Sequence, residues 1–202
     1  GLMIGSDVPF AKPHRHYSHL LGIFPLNVIK IDTQPDMLEI LKKSINRHTD
    51  IDGDNCMYKF TGSSSLSAAL GDGDRALQML ERSLQLLPPQ QAPTVMPNTL
   101  YSEGQHPTFE SPISAARCVL DMLLQSWGRY IRVFPACPSA WKDAAFHDLR
   151  AEGAKACGPD ANRLCKHVLG QGDMIVLKCF KNRRTKLGPG CHAFLTKAGQ
   201  LK

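Results

Sequence analysis

The sequence predicts a mainly α-helical protein built of helical hairpins, closing in a short β segment and followed by a tail of different character. Apolar residues recur at helical spacing over 35–48, 66–87 and 111–124, Gly and Pro punctuate the ends of these stretches, and beyond residue 154 the period is lost. With 202 residues, 43% of them hydrophobic and 21% charged, the composition is that of a globular protein of one or two domains. Disorder and collagen-like order are excluded. No run of eighteen apolar residues exists, and residues 1–5 lack the basic start and apolar stretch of a secretory signal, so no membrane partner is expected. The chain opens on Gly1 rather than Met and is expected to be a cut or mature piece, which leaves its localisation unread.

The elements follow in order. Leu20 to Phe24 form an apolar stretch after a His-rich lead, and Pro25 stops any helix begun there because it has no N–H to donate and clashes with the preceding turn. Over 35–48, Met37, Ile40, Leu41 and Ile45 fall on one helical face, with Lys42, Lys43 and Arg47 elsewhere. The stretch 66–70 ends at Gly71. The turn 71–74 then leads into Leu77, Leu80, Leu84 and Leu87, so two helices joined by a tight polar turn make an αα-hairpin. The prolines between 88 and 97 enforce a loop reaching to about Phe109, long enough to suspect function. Ser111 as N-cap and Pro112 at the first helical position open a further helix, with Ile113, Ala116, Leu120, Leu123 and Leu124 as its apolar stripe and Gly128 closing it. Residues 129–134 read as a short strand bounded by Pro135 and Pro138. In the tail only 174–180 has an apolar, strand-like run.

Charge and cysteine divide the chain the same way. Residues 152–202 carry ten Lys and Arg against three Asp and Glu, whereas the preceding residues carry fourteen against fifteen, so the net charge of +6 sits in the tail. A nucleic-acid partner would need such a basic face, but it is the weaker reading of the tail and none is expected for the chain. The seven cysteines are odd in number and lack paired short spacing, which gives no disulfide framework.

Several constellations could carry chemistry. His14, Arg15, His16, Tyr17, Ser18 and His19 place three imidazoles and a guanidinium in six residues. The H-x-H-x-x-H spacing lacks the helix-borne zinc pattern, so metal ligation competes poorly with recognition of sugar hydroxyls, to which Arg and neutral His offer donors and acceptors, or with purely structural roles. Asp50 to Asp54 begins like a calcium loop but has Asn55 in place of the turn glycine and Thr61 in place of the bidentate glutamate, and that reading fails. Asp72 and Asp74 are expected to be helix N-terminal carboxylates. Glu103, His106 and Glu110 lie in the long loop before a helix, where any could serve as acid or base. Cys165 with His167, and Cys191 with His192, lack the spacing of a zinc module.

The segment His14-Arg15-His16-Tyr17-Ser18-His19-Leu20-Leu21-Gly22-Ile23-Phe24-Pro25 resembles the HRH-x-SHL-x-G-x-x-P signature of glycoside hydrolase family 95, whose members include inverting α-L-fucosidases. Three further stretches fall in the family's order: residues 70–76 (LGDGDRA), 122–126 (MLLQS) and 134–141 (FPACPSAW). The resemblance covers roughly 1–154. It implies that residues 1–128 belong to an (α/α)6 catalytic domain, of which these helices supply about half, and that 129–154 begin a C-terminal β region. Residues 155–202 depart from the family and are expected to be a basic, Cys-rich tail that is either non-native or poorly ordered.

The same resemblance assigns roles. Arg15 and His16 match a pair that contacts substrate hydroxyls, with His14 and His19 shaping that wall. Counting back from Met122, Glu110 stands where the family has an aspartate that activates water, and the glycine-rich residues that follow the aspartate are lost. The general acid would lie upstream of Gly1. No cofactor or metal is implied, and the expected partner is a carbohydrate such as a fucosylated glycan, with the oligomeric state unspecified. Family habit implies an exported bacterial enzyme without disulfides. The chain is therefore expected to be a glycosidase fragment, inactive alone; the competing expectation is a non-catalytic sugar-binding or protein-interaction module.

Overall fold

The computed structural model describes residues 1–32, 34–84, 101–103, 106–127, 131–147, 149, 151–169, 171 and 173–201, without the side chains of 103, 152–155, 173 and 174. The predicted fold class is the one found: mainly helical, built on helical hairpins, with small two-stranded pairings as its β content, consistent with part of a helical barrel. Two compact units form, Gly1–Gln125 with Val133–Ala145, and Ser126–Arg132 with Phe146–Lys202.

In the first unit a 3-10 turn at Ser18–Leu20 and further turns run to the cis peptide Phe24-Pro25, so the apolar stretch before Pro25 forms tight turns and not a longer helix. Helix α1 (Leu38–Asp50) follows a 3-10 turn at Pro35–Met37. Its buried face includes Leu41 and Ile45, while Ile40 is exposed. Helix α2 (Met57–Ala69) starts nine residues before the apolar stretch that announces it. It packs against α1, α3 (Gly73–Leu84) and α4 (Glu110–Leu123), which explains its composition. A helix enclosed on all sides shows no amphipathic period. Small residues let the neighbours approach, and its buried hydroxyls are satisfied locally or across the contacts: Ser63 donates to Lys59 O (3.0 Å), Ser67 to Ser63 O (2.8 Å), Ser64 to Ala76 O (2.7 Å) and Ser65 to Asp121 Oδ2 (2.9 Å). Gly62 is required, since a Cβ there would lie 2.2 Å from the Tyr17 ring that seats on it.

The αα-hairpin is confirmed, turning at Gly71 with φ +79°. Asp72 caps α3 by accepting the Arg75 N–H (3.0 Å). Asp74 does something else: its Oδ1 accepts the N–H of Ser139 (2.7 Å), sixty-five residues on, and that bond holds its carboxyl below the usual range. Nearby, a Cβ on Gly73 would lie 2.3 Å from Ala136 O. The LGDGDRA and FPACPSAW stretches are thus interlocked partners.

Helix α4 corrects two expectations. It opens at Glu110 with Phe109 as N-cap, so Ser111 lies inside the helix and is not its cap. Its buried face is Ser111, Cys118, Asp121, Met122 and Leu123, whereas Ile113 and Leu120 of the predicted stripe, with Ala116, are exposed. The packed face is polar because α2, which it meets, is polar: Arg117 Nε and Ser65 share the two oxygens of Asp121 (2.7 and 2.9 Å). Gln125 donates to Ala68 O (2.7 Å) and Asp121 O (3.0 Å), joining the C-terminal ends of α2 and α4.

Of the long loop, 88–100 lie outside the described residues, as do Leu87 and Gly128. Its end forms a hairpin, β1 (Ser102–Glu103) antiparallel to β2 (His106–Pro107). After α4 come the two-residue strands β3 (Leu124–Gln125) and β4 (Arg132–Val133), the latter being what remains, among the described residues, of the strand expected over 129–134.

The second unit departs from the sequence reading. It contains α5 (Glu152–Leu164), α6 (Asp173–Asn182) and α7 (Pro189–Lys197), in a segment for which poor order was one expectation. The strand-like run 174–180 is helical: Val176, Cys179 and Phe180 turn inward at three- and four-residue spacing while Ile175 faces out. Two disulfides, Cys157–Cys191 and Cys165–Cys179, overturn the expectation of none. Their separations of 34 and 14 residues hide the pairing from a spacing argument, and the odd total arises because Cys56, Cys118 and Cys137 lie in the first unit. These four sulfurs, with Phe180, Leu195 and Leu201, are the core of the unit. Oxidised Cys165 and Cys191 are also unavailable as thiolate ligands beside His167 and His192.

Candidate active site

Three separate stretches of the first unit meet at a cavity of 520 Å³ lined by Arg15, His16, Tyr58, Thr108 and Glu110. Each is placed by a local device. Arg15 is held at its backbone, its N–H donating to Asp54 Oδ2 at 2.6 Å. The His16 N–H donates to His14 Nδ1 (3.0 Å), and the two rings lie 5.2 Å apart, so His14 braces His16 without lining the cavity. Between Arg15–His16 and the core, Tyr17 is buried over Gly62. Burial drives its phenol pKa upward and keeps it protonated.

Tyr58 stands in the first turn of α2, stacked on Tyr17 (6.0 Å, 15° between planes) and 5.3 Å from the His16 ring. Thr108 follows the hairpin, its N–H donating to Tyr101 O (3.0 Å). The Tyr101 hydroxyl in turn accepts the N–H of Met57 (3.0 Å), tying the hairpin to the start of α2. Glu110 is the exposed first residue of α4. The Oγ1 of Thr108 and the Oγ of Ser111 are buried with no partner among the described residues, two hydroxyls of the kind that satisfy themselves on water or a polyhydroxylated ligand.

His19 points elsewhere. Its ring stacks on Phe10 (4.4 Å) and lies 5.9 Å from His48, beside a separate cavity of 320 Å³ that includes Leu2, Phe10, Ser44 and Arg47. Burial lowers its pKa, and lowers that of fully buried His48 to about 4 with the nearby basic groups of His19, Lys59 and His14 adding to the effect. Of the four residues expected to form the binding wall and the one expected as base, the structure brings Arg15, His16 and Glu110 together, sets His14 behind them and leaves His19 apart.

Of the other acid–base candidates, His106 is exposed on β2 and does not line the cavity, and the Glu103 side chain is outside the described atoms. Sequence reasoning missed Tyr58, Thr108 and Asp54. Asp54 drew notice only as part of a failed calcium loop, and Tyr58 and Thr108 carry no motif. Among the described residues no three His, Cys, Asp or Glu side chains converge as metal ligands. No described helix is long and apolar enough to cross a membrane.

Comparison with known proteins spans the stretches that line this cavity. The model of the glycosyl hydrolase family 95 catalytic domain matches residues 8–123, which include every residue lining it. The chain is also 28% identical over 145 residues to alpha-L-fucosidase 2 of Arabidopsis thaliana, an alignment covering 69% of this chain and 17% of the relative's length. With more than half of its length matched by the catalytic-domain model, the chain belongs to glycosyl hydrolase family 95.

Proposed function

We propose that the chain contributes part of the sugar subsite of an inverting α-L-fucosidase, with Arg15 and His16 binding substrate hydroxyls and Glu110 as the base. One observation carries this reading: Arg15, His16 and Glu110, ninety-five residues apart, line one cavity. Arg15 offers a fork of N–H donors and His16 both donates and accepts, a match for adjacent sugar hydroxyls. Tyr58 adds an aromatic face beside them. In this mechanism the Glu110 carboxylate takes a proton from a water that attacks the anomeric carbon, while a carboxylic acid on the opposite face, roughly 6.5–9.5 Å away, protonates the leaving oxygen. That acid belongs to the rest of the parent protein, since the chain spans about a sixth of the length of its plant relative. Exposed Ile113 and Leu120 on α4 fit a body that is completed by further helices.

In this account residues 1–128 are catalytic-domain sequence and 129–154 lead out of it. Residues 155–202 are a module distinct from the catalytic-domain sequence, a reading supported by the pairing of all four tail cysteines within one core. Disulfides persist in oxidising compartments, which fits export of the parent.

Assay of the full-length parent on aryl α-L-fucosides tests the proposal. Glu110→Gln should lower kcat by about a thousandfold or more if it removes the base, and Arg15→Lys should act mainly on KM. Turnover unaffected by Glu110→Gln would contradict the assignment. The glutamate itself favours a second reading: its extra methylene moves the carboxylate by about an ångström from the family's aspartate position, and such displacement is costly to catalysis. A parent that binds fucosides but turns none over would be a sugar-binding relative.

A further inference from the structure

The loop 50–55, dismissed above as a calcium site, is filled after all by a cation of the protein's own. Lys59 is fully buried, and its ammonium donates to Ile51 O (2.7 Å), Gly53 O (3.1 Å) and Asn55 Oδ1 (3.1 Å). Three donors meet three oxygens, as a buried ammonium requires. Its position is a poor one for the helix that carries it: Lys59 is the third residue of α2, where the macrodipole disfavours positive charge. The loop oxygens, with Asp52 and Asp54 close by, offset that cost against the like charge of Arg82.

What the ammonium holds is an uncommon backbone. Gly53 (φ +106°) and Asp54 (φ +49°) both adopt the left-handed region, and Asp52 Oδ1 accepts the N–H of Gly53 (2.9 Å) and Nδ2 of Asn55 (3.1 Å). The loop so shaped touches the proposed binding wall twice. A Cβ on Gly53 would lie 2.8 Å from Pro13 Cγ, and Asp54 Oδ2 takes the Arg15 N–H.

We propose that Lys59 is a positioning residue for the sugar-binding wall: its caged ammonium orders the loop 51–55, and through Asp54 fixes the backbone that presents Arg15 and His16. The proposal rests on the substrate-binding reading for its consequence, but its mechanical part can be tested without any activity. Amide hydrogen exchange of the whole chain should find the Arg15 N–H exchanging at least about tenfold faster in Lys59→Met and in Lys59→Gln, with the amides of Ala76 and Leu80 in α3 unchanged. Asp54→Ala, a change at an exposed residue, should expose the same amide. Unchanged Arg15 exchange in any of the three overturns the proposal, as does loss of α3 protection in both Lys59 variants, which would make Lys59 a residue of the general core.

In the full-length parent, Lys59→Met should raise KM for an aryl α-L-fucoside about tenfold with kcat changed less than threefold. A fall in kcat with KM unchanged also overturns it. If Arg15 is released as expected and fucosides are neither bound nor turned over, the substrate reading fails and the positioning role stands.

Discussion

The two units of the chain enclose their cores by different means. The first, about 140 residues, closes around α2, a helix rich in Gly, Ser and Ala whose neighbours are held by shape and by hydrogen bonds from buried hydroxyls. The second has three helices of nine to thirteen residues and a core in which four of seven buried residues are half-cystines. Size accounts for the contrast, since a unit of some sixty residues buries too little apolar surface to stand easily on packing alone. Steric fit stabilises the first unit, and covalent cross-links the second.

Reduction should separate them most sharply. Each disulfide contributes about 2–5 kcal/mol in a small domain, so dithiothreitol is expected to abolish amide protection in α5, α6 and α7 while α2 and α3 keep theirs. Equal loss in both units would erase the contrast.

Acid should do the reverse. Buried His48 is held neutral with its pKa lowered to about 4, while the unfolded chain takes up the proton below about 6.5. Its contribution is fully present above that unfolded value and is lost as pH falls through the window, up to about 3 kcal/mol in all. Chemical denaturation monitored in α1 and α2 should therefore weaken between pH 6.5 and 4, and His48→Phe should flatten that slope; an unchanged slope in the variant would remove His48 as the cause.

The smallest effect expected is that of one methyl group at the centre of the first unit. Gly62→Ala forces the Tyr17 ring off α2 and should destabilise this unit by about 1–3 kcal/mol, seen as a lower denaturant midpoint. The paired aromatic contact of Tyr17 with Tyr58 should loosen with it. A variant as stable as the parent would mean that the ring finds another seat without cost.

The same contrast explains what could be read in the sequence. Helices α1 and α3 were legible because each has one buried face against a polar one, and the turn at Gly71 announced their hairpin partner's end. The N-terminal half of α2 was not, because Met57 to Ser65 is buried on almost every side, Tyr58 alone reaching the cavity, and is polar in much of its sequence. Helix α4 was legible as a helix but not in its orientation, since its apolar residues Ile113 and Leu120 face outward and Asp121 faces in. The disulfides escaped because partners 34 and 14 residues apart meet only once α5, α6 and α7 exist. At the site, Arg15, His16 and Glu110 were found through motif resemblance. His19 shares the motif yet faces a separate cavity. Tyr58, Thr108 and the Lys59–Asp54 support are assembled from separate stretches and leave no local signature.

The most direct test of the central claim is the anomer first released when the full-length parent hydrolyses an α-L-fucoside, followed by proton NMR before mutarotation. The account predicts β-L-fucose as the initial product, with its formation lost in Glu110→Gln. Release of α-L-fucose, or β-L-fucose formed at an undiminished rate in Glu110→Gln, would contradict the assignment of Glu110 as the base of an inverting site.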